Sequence, residues 1–138
     1  MFSSNKPKIA IDFDGTIVES RYPDIGKPKL FVFETLKKLQ NEGYLLILWT
    51  YRHGHKLNEA VDFCKSHDLE FYAVNKSYPE EEFSDDKISR KIDADIFIDD
   101  RNLGGMYSWG EIYKMITNQE ADFEKQPKSL FQKLFKNT

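Results

Sequence analysis

Four short apolar runs, Lys8 to Ile11, Tyr44 to Trp49, Glu70 to Val74 and Asp95 to Ile98, do most to narrow how this chain can fold. They show little alternation of polar with apolar residues, the pattern of strands covered on both faces, as in a parallel sheet. Between the first two lies a stretch of helical spacing, with Val32, Phe33, Leu36 and Leu39 on one face and Gly43 as its stop. Between the second and third, Leu57, Ala60, Val61 and Cys64 repeat that spacing. Strand, helix, strand, helix, strand implies right-handed crossovers and an α/β fold: a doubly wound, Rossmann-like three-layer sandwich around a mainly parallel sheet.

The third crossover, Asn75 to Ala94, reads differently. Pro79, three consecutive glutamates and Asp85-Asp86 make it a polar loop with at most a short helix. Further on, Ile112, Met115 and Ile116 predict another helix, and Ser129 with Gln132 resembles a capping box ahead of Leu130, Phe131, Leu134 and Phe135. The 138 residues, 40% of them hydrophobic, suit one domain, with a core over about 7–118 and a helical extension over about 119–138.

A net charge of -3 gives no global field toward nucleic acid or an anionic membrane. No apolar stretch approaches the roughly 20 residues that span a bilayer, and the first residues lack the apolar core of a signal peptide, so a cytoplasmic protein without a membrane partner is expected. Cys64, the single cysteine, falls among apolar helix positions and reads as a buried thiol.

Polar residues fall where the strands end. Asp12 and Asp14 follow the first, Thr50 the second, Asn75 and Lys76 the third, and Asp99 and Asp100 the fourth. The carboxyl ends of parallel strands share one edge, and ligands bind in the crevice there. Carboxylates so crowded repel one another unless a cation sits among them, and hard oxygen donors favour Mg²⁺. A cation with a lysine nearby would neutralise an incoming phosphate, one carboxylate can attack phosphorus, and a carboxylic acid two residues along can protonate the leaving oxygen. Gly15 would let backbone amides approach the phosphoryl oxygens. Arg52 could fork onto a substrate phosphate or carboxylate. His53 and His55 read as a solvated loop, and Trp49 and Trp109 as packing.

Asp12-Phe13-Asp14-Gly15-Thr16 after an apolar strand, Thr50 closing Leu45 to Trp49, and Asp99-Asp100 closing Ile96-Phe97-Ile98 together resemble the motifs of the haloacid dehalogenase superfamily of phosphohydrolases. The run from Ala94 to Asn102 with Gly104-Gly105 and Trp109 is similar to small bacterial and phage members. The resemblance implies Asp12 as nucleophile and metal ligand, and Asp14 as general acid and base with its backbone carbonyl on Mg²⁺. It further implies Thr50 as a holder of the phosphoryl group, Asp99 as a direct ligand and Asp100 as a ligand through water. It also asks for a lysine. Lys91 fits the pattern, but a residue ahead of a strand that rises about 13 Å starts near the wrong edge of the sheet. Lys76 has no such difficulty, and Lys87 lies between them.

The fold also suits a receiver-like phospho-acceptor or a catalytically silent phosphate-binding module. The acid two residues after Asp12 favours turnover over a persistent phosphoryl group. Neither Ile17 to Leu30 nor Asn75 to Ala94 is long enough for the cap domain that selects substrates in the superfamily. A nearly capless site suits a phosphorylated small molecule or a macromolecular end, with a neighbouring copy in a homo-oligomer, or Leu130 to Phe135, as its cover.

Overall fold

In the structure, a computed structural model describing residues 6–83 and 87–121, there are four strands and three helices. They are β1 (Lys8–Ile11), α1 (Val32–Asn41), β2 (Leu45–Leu48), α2 (Gly54–Ser66), β3 (Ala73–Val74), β4 (Ile96–Ile98) and α3 (Trp109–Ala121). The sheet order is β3-β2-β1-β4 and every pairing is parallel, with Ala10 opposite both Ile47 and Phe97. This is the Rossmann-like α/β class expected from the runs.

Period-two alternation divides the apolar strand residues between two faces. Ala10, Ile47 and Ala73 point to one face, where Ile92 of the β3–β4 crossover covers them beside Trp49, Tyr72 and Ala94. Ile9, Ile11, Leu46 and Leu48 point to the other, toward the two crossover helices, and are fully buried. Each such Ile or Leu contributes roughly 1.5–3 kcal/mol by burial. α1 buries the stripe Val32, Phe33, Leu36 and Leu39 and stops at Gly43, whose φ of 101° is open to glycine and strained for other residues. Phe33 stacks on His67 at 4.2 Å and meets Phe63 of α2 at 6.1 Å, while Phe13, just after β1, meets Phe63 edge-on at 6.3 Å. These rings join α1, α2 and the start of the crevice.

The expected strand from Glu70 shortens to Ala73–Val74, an edge strand flanked by hydrogen bonds from the Tyr72 amide to the Leu46 carbonyl at 2.8 Å and from the Asn75 amide to the Leu48 carbonyl at 2.7 Å. The crossover from Asn75 to Ala94 contains no helix among its described residues. It is pinned through Ser77: the Ser77 amide donates to Glu81 Oε1 at 2.8 Å, Ser77 Oγ accepts from the Asp93 amide at 2.8 Å, and Lys8 Nζ donates to the Ser77 carbonyl at 2.9 Å.

The chain divides into two compact units, Met1–Met106 and Tyr107–Thr138. In the second, Trp109, Ile112 and Ile116 follow one another at helical spacing along α3. The Ser129 capping box and the stripe Leu130 to Phe135 lie outside the described residues. Among those described, no helix is long and apolar enough to cross a membrane.

Candidate active site

The chain winds outward from β1 through β2 to β3, then returns to place β4 on the other side of β1. The crevice of such a sheet opens at that reversal, above β1 and β4. Hydrogen bonds continue the ladder one residue past the strands, from the Asp12 amide to the Ile98 carbonyl at 3.0 Å and from the Trp49 amide to the Ile11 carbonyl at 2.8 Å. Asp12, Thr50 and Asp99 are thereby carried to one edge. With Asp14 and Asp100 they line a cavity of about 670 Å³, completed by Ser20, Tyr22, Trp49, Tyr51 and Arg101.

Asp12, Asp99 and Asp100 each turn a carboxylate oxygen to a common centre, and these atoms lie within 4.8 Å of one another. Burial, then the charge of Asp99, then a hydrogen bond with Asp100 push the Asp12 carboxyl up to about 7, against hydrogen bonds from Thr16 and the Phe13 amide. Three hard oxygen donors gathered this closely fit a small divalent cation such as Mg²⁺.

Thr16 is the residue that sequence reasoning missed here. Wholly buried, it accepts from the Asp100 amide at 3.0 Å and places its hydroxyl 3.0 Å from Asp12 Oδ2 and 3.2 Å from Asp100 Oδ1. One hydroxyl proton shared between two carboxylates ties them together at a fixed spacing. The signal was present, since Thr16 follows the acidic pair by two positions. Gly15 serves the same packing: at its φ of 88° an added Cβ would collide with the Asp100 carboxylate. Its own amide donates to the Val18 carbonyl at 2.7 Å and so is engaged within the turn.

Arg52 is also corrected. Its guanidinium is 1% exposed, and rather than facing a substrate it forks onto Asp14, with Nε to Oδ2 and Nη2 to Oδ1 both at 2.8 Å. It further donates to the carbonyls of Asp24 at 2.8 Å, Pro23 at 3.3 Å and Lys56 at 3.4 Å, and stands 5.1 Å from the rings of both Phe13 and Tyr22. The bonding to Asp14 raises its pKa further, outweighing desolvation. Arg52 thus joins the turn after β1, the loop around Pro23 and the first turn of α2. Because the Asp14 carboxylate is engaged there, only its backbone carbonyl is left for the metal role that the resemblance implies.

Thr50 lines the cavity with its hydroxyl, which accepts from the Arg52 amide at 3.1 Å, and its own amide donates to Asn75 Oδ1 at 2.8 Å. Asn75, noted only as following the third strand, holds Thr50 in place from a left-handed conformation at φ 55°. Lys91 lines a neighbouring cavity of about 290 Å³ together with Trp49 and Asp99. The difficulty with its height disappears because Ile92 packs at mid-sheet against Ala10 and Ile47, and the chain then descends to Asp95, whose amide bonds the Lys8 carbonyl at 2.9 Å. Lys76 is half-buried and lines neither cavity, and Lys87 is exposed. His53 is exposed at the start of α2, and His55 pairs with Glu59 at 3.2 Å, so neither joins the acidic cluster. Cys64 is buried and its thiol is pushed up to about 12 by desolvation.

Fold and site define a parallel α/β protein with a cation-ready acidic crevice at its topological switch point. The solved structure of a conserved protein from Bacteroides thetaiotaomicron matches with a TM-score of 0.78 at 56% sequence identity, covering 83% of this chain and 93% of that one. The chain belongs to the family of that conserved protein. No family model and no curated protein matches it.

Proposed function

We propose that the protein is a Mg²⁺-dependent phosphohydrolase of the haloacid dehalogenase type, cleaving a phosphomonoester through an aspartyl-phosphate on Asp12. The observation that carries this reading is the cluster of Asp12, Asp99 and Asp100 oxygens within 4.8 Å at the switch point, with Asp14 two residues from the nucleophile. Asp12, Asp99 and Asp100 would hold Mg²⁺, which supplies charge neutralisation for the phosphoryl oxygens and favours the carboxylate form of Asp12.

The steps then fall to this chain's own groups. An Asp12 oxygen forms a bond to phosphorus as the bond to the leaving oxygen breaks, and Asp14, which must first take up a proton from solvent, gives that proton to the leaving oxygen. A water molecule next attacks phosphorus, Asp14 takes its proton, and phosphate departs with Asp12 restored. For either proton transfer one arm of the Asp14–Arg52 fork must open. The carbonyls of Pro23, Asp24 and Lys56 keep the guanidinium in place while it does. Thr50, which lines the acidic cavity, and Lys91, which lines a neighbouring one sharing Trp49 and Asp99 with it, would hold phosphoryl oxygens. A cytoplasmic setting accords with the single buried thiol.

The test is Mg²⁺-dependent release of phosphate from a generic aryl phosphate. Asp12→Asn should abolish it, and Asp14→Asn should slow it while still allowing phosphoryl transfer to the enzyme. Unchanged turnover in Asp12→Asn, or in excess chelator, would rule the mechanism out.

A further inference from the structure

The acids occupy only the floor of the 670 Å³ cavity, a volume in the range that takes a drug-sized ligand rather than a lone phosphate. Among the described residues its remaining walls carry no aliphatic side chain: Tyr22, Trp49 and Tyr51 are aromatic, and Ser20 and Arg101 are polar. A lipid or other alkyl leaving group would find no apolar slot. A sugar, which needs a polar partner for most of its hydroxyls, would find few outside the acidic floor.

The rings are placed to receive a flat group. Trp49 and Tyr51 flank Thr50 and, with Tyr22, line the same cavity as Asp12. Tyr51 is 87% exposed and Tyr22 46%, so both offer ring surface to a ligand. Tyr22 is preorganised: the Arg52 guanidinium lies over its ring at 5.1 Å, and Arg52 also holds the carbonyls of Pro23 and Asp24 that follow it. A ring fixed before binding loses little freedom when a ligand stacks on it.

Resting on the phosphohydrolase reading, we propose that this aromatic wall takes the base of a nucleoside monophosphate, making the reaction nucleoside monophosphate plus water to nucleoside plus phosphate. A polynucleotide end is disfavoured by charge. The chain carries a net charge of -3, and Arg101 is the only cation lining this cavity among the described residues, whereas a polyanion is held by a basic track.

Binding is measured with Asp12→Asn protein in Mg²⁺, which has no carboxylate to accept the phosphoryl group, by titrating a nucleoside monophosphate, ribose 5-phosphate and a short 5′-phosphorylated oligonucleotide. The nucleoside monophosphate should bind about tenfold tighter than ribose 5-phosphate, within the range of one base stacked on an aromatic side chain. Adding Tyr51→Ala should erase most of that ratio and Tyr51→Phe should keep it. Equal affinities for nucleotide and sugar phosphate, or a ratio unmoved by Tyr51→Ala, overturn the base-binding wall whether or not the wild type releases phosphate. An oligonucleotide bound tenfold tighter than the mononucleotide, with steep salt dependence, overturns the choice of a mononucleotide. Absence of phosphate release from any phosphomonoester overturns only the hydrolase reading beneath.

Discussion

Alanine at position 15 would bring a Cβ into the Asp100 carboxylate while holding a φ of 88° that L side chains rarely adopt. The expected outcome for Gly15→Ala is a stability loss of about 1–3 kcal/mol and Mg²⁺ affinity lowered about tenfold or more, because Asp100 can no longer sit beside Asp12. Denaturant unfolding in chelator and calorimetric Mg²⁺ titration check the two parts separately, and wild-type values in both would remove Gly15 from the site. Arg52 invites a second substitution. Arg52→Met keeps the bulk between Phe13 and Tyr22 but leaves Asp14 and three carbonyls without their donor, so a loss of about 3 kcal/mol or more is expected by urea unfolding. Arg52→Lys should recover little, since an ammonium cannot reproduce a planar fork. The linear sequence gives the identity of such a residue and its place after β2 but not the direction of a side chain long enough to fold back. That is why Arg52 was legible as part of the crevice and illegible as the partner of Asp14. Asp12, Asp99 and Asp100 needed no such knowledge, because residues immediately after parallel strands share an edge whatever their rotamers.

Among the elements, β1 and both crossover helices were readable because each carries its own apolar period, and the Val32 to Leu39 stripe is buried as spaced. β3 was overestimated, since five residues of strand-like composition say nothing of how many neighbours an edge strand finds. The crossover from Asn75 to Ala94 was readable as irregular but not as cohesive. What holds it is Ser77, whose backbone and hydroxyl bridge Lys8, Glu81 and Asp93, contacts with no sequence period. This element also sets the height of Lys91. Ser77→Ala removes the acceptor for the Asp93 amide, and a cost of about 1 kcal/mol is expected. Amide exchange at Asp93 should accelerate while exchange in β1 stays at the rate set by global unfolding. Unchanged protection at Asp93 would show that the crossover is held by Ile92 alone.

At the scale of the whole molecule, the acidic crevice links folding, metal and pH. An unfolded aspartate titrates near 3.9, whereas Asp12 in the fold titrates at about 7, chiefly through burial and then Asp99. Between those values the folded chain retains a proton that the unfolded chain has released. The contribution of Asp12 is therefore fully present below about 4 and is lost as pH rises through 7, with a slope of at most about 1.4 kcal/mol per pH unit. This is opposite in sign to a salt-bridged carboxylate. In chelator, the wild type should lose stability across pH 5–7.5 relative to Asp12→Asn, a comparison in which the three histidines cancel. Mg²⁺ competes with the proton for the same carboxylate, so a saturating concentration should remove the difference in slope, and Mg²⁺ affinity should strengthen over that window. Thermal unfolding of both proteins at several pH values, with and without Mg²⁺, reads all three effects. Parallel curves in chelator would mean that the Asp12 carboxyl is not held protonated by its neighbours, and the crowding of acids would then be no argument for a cation.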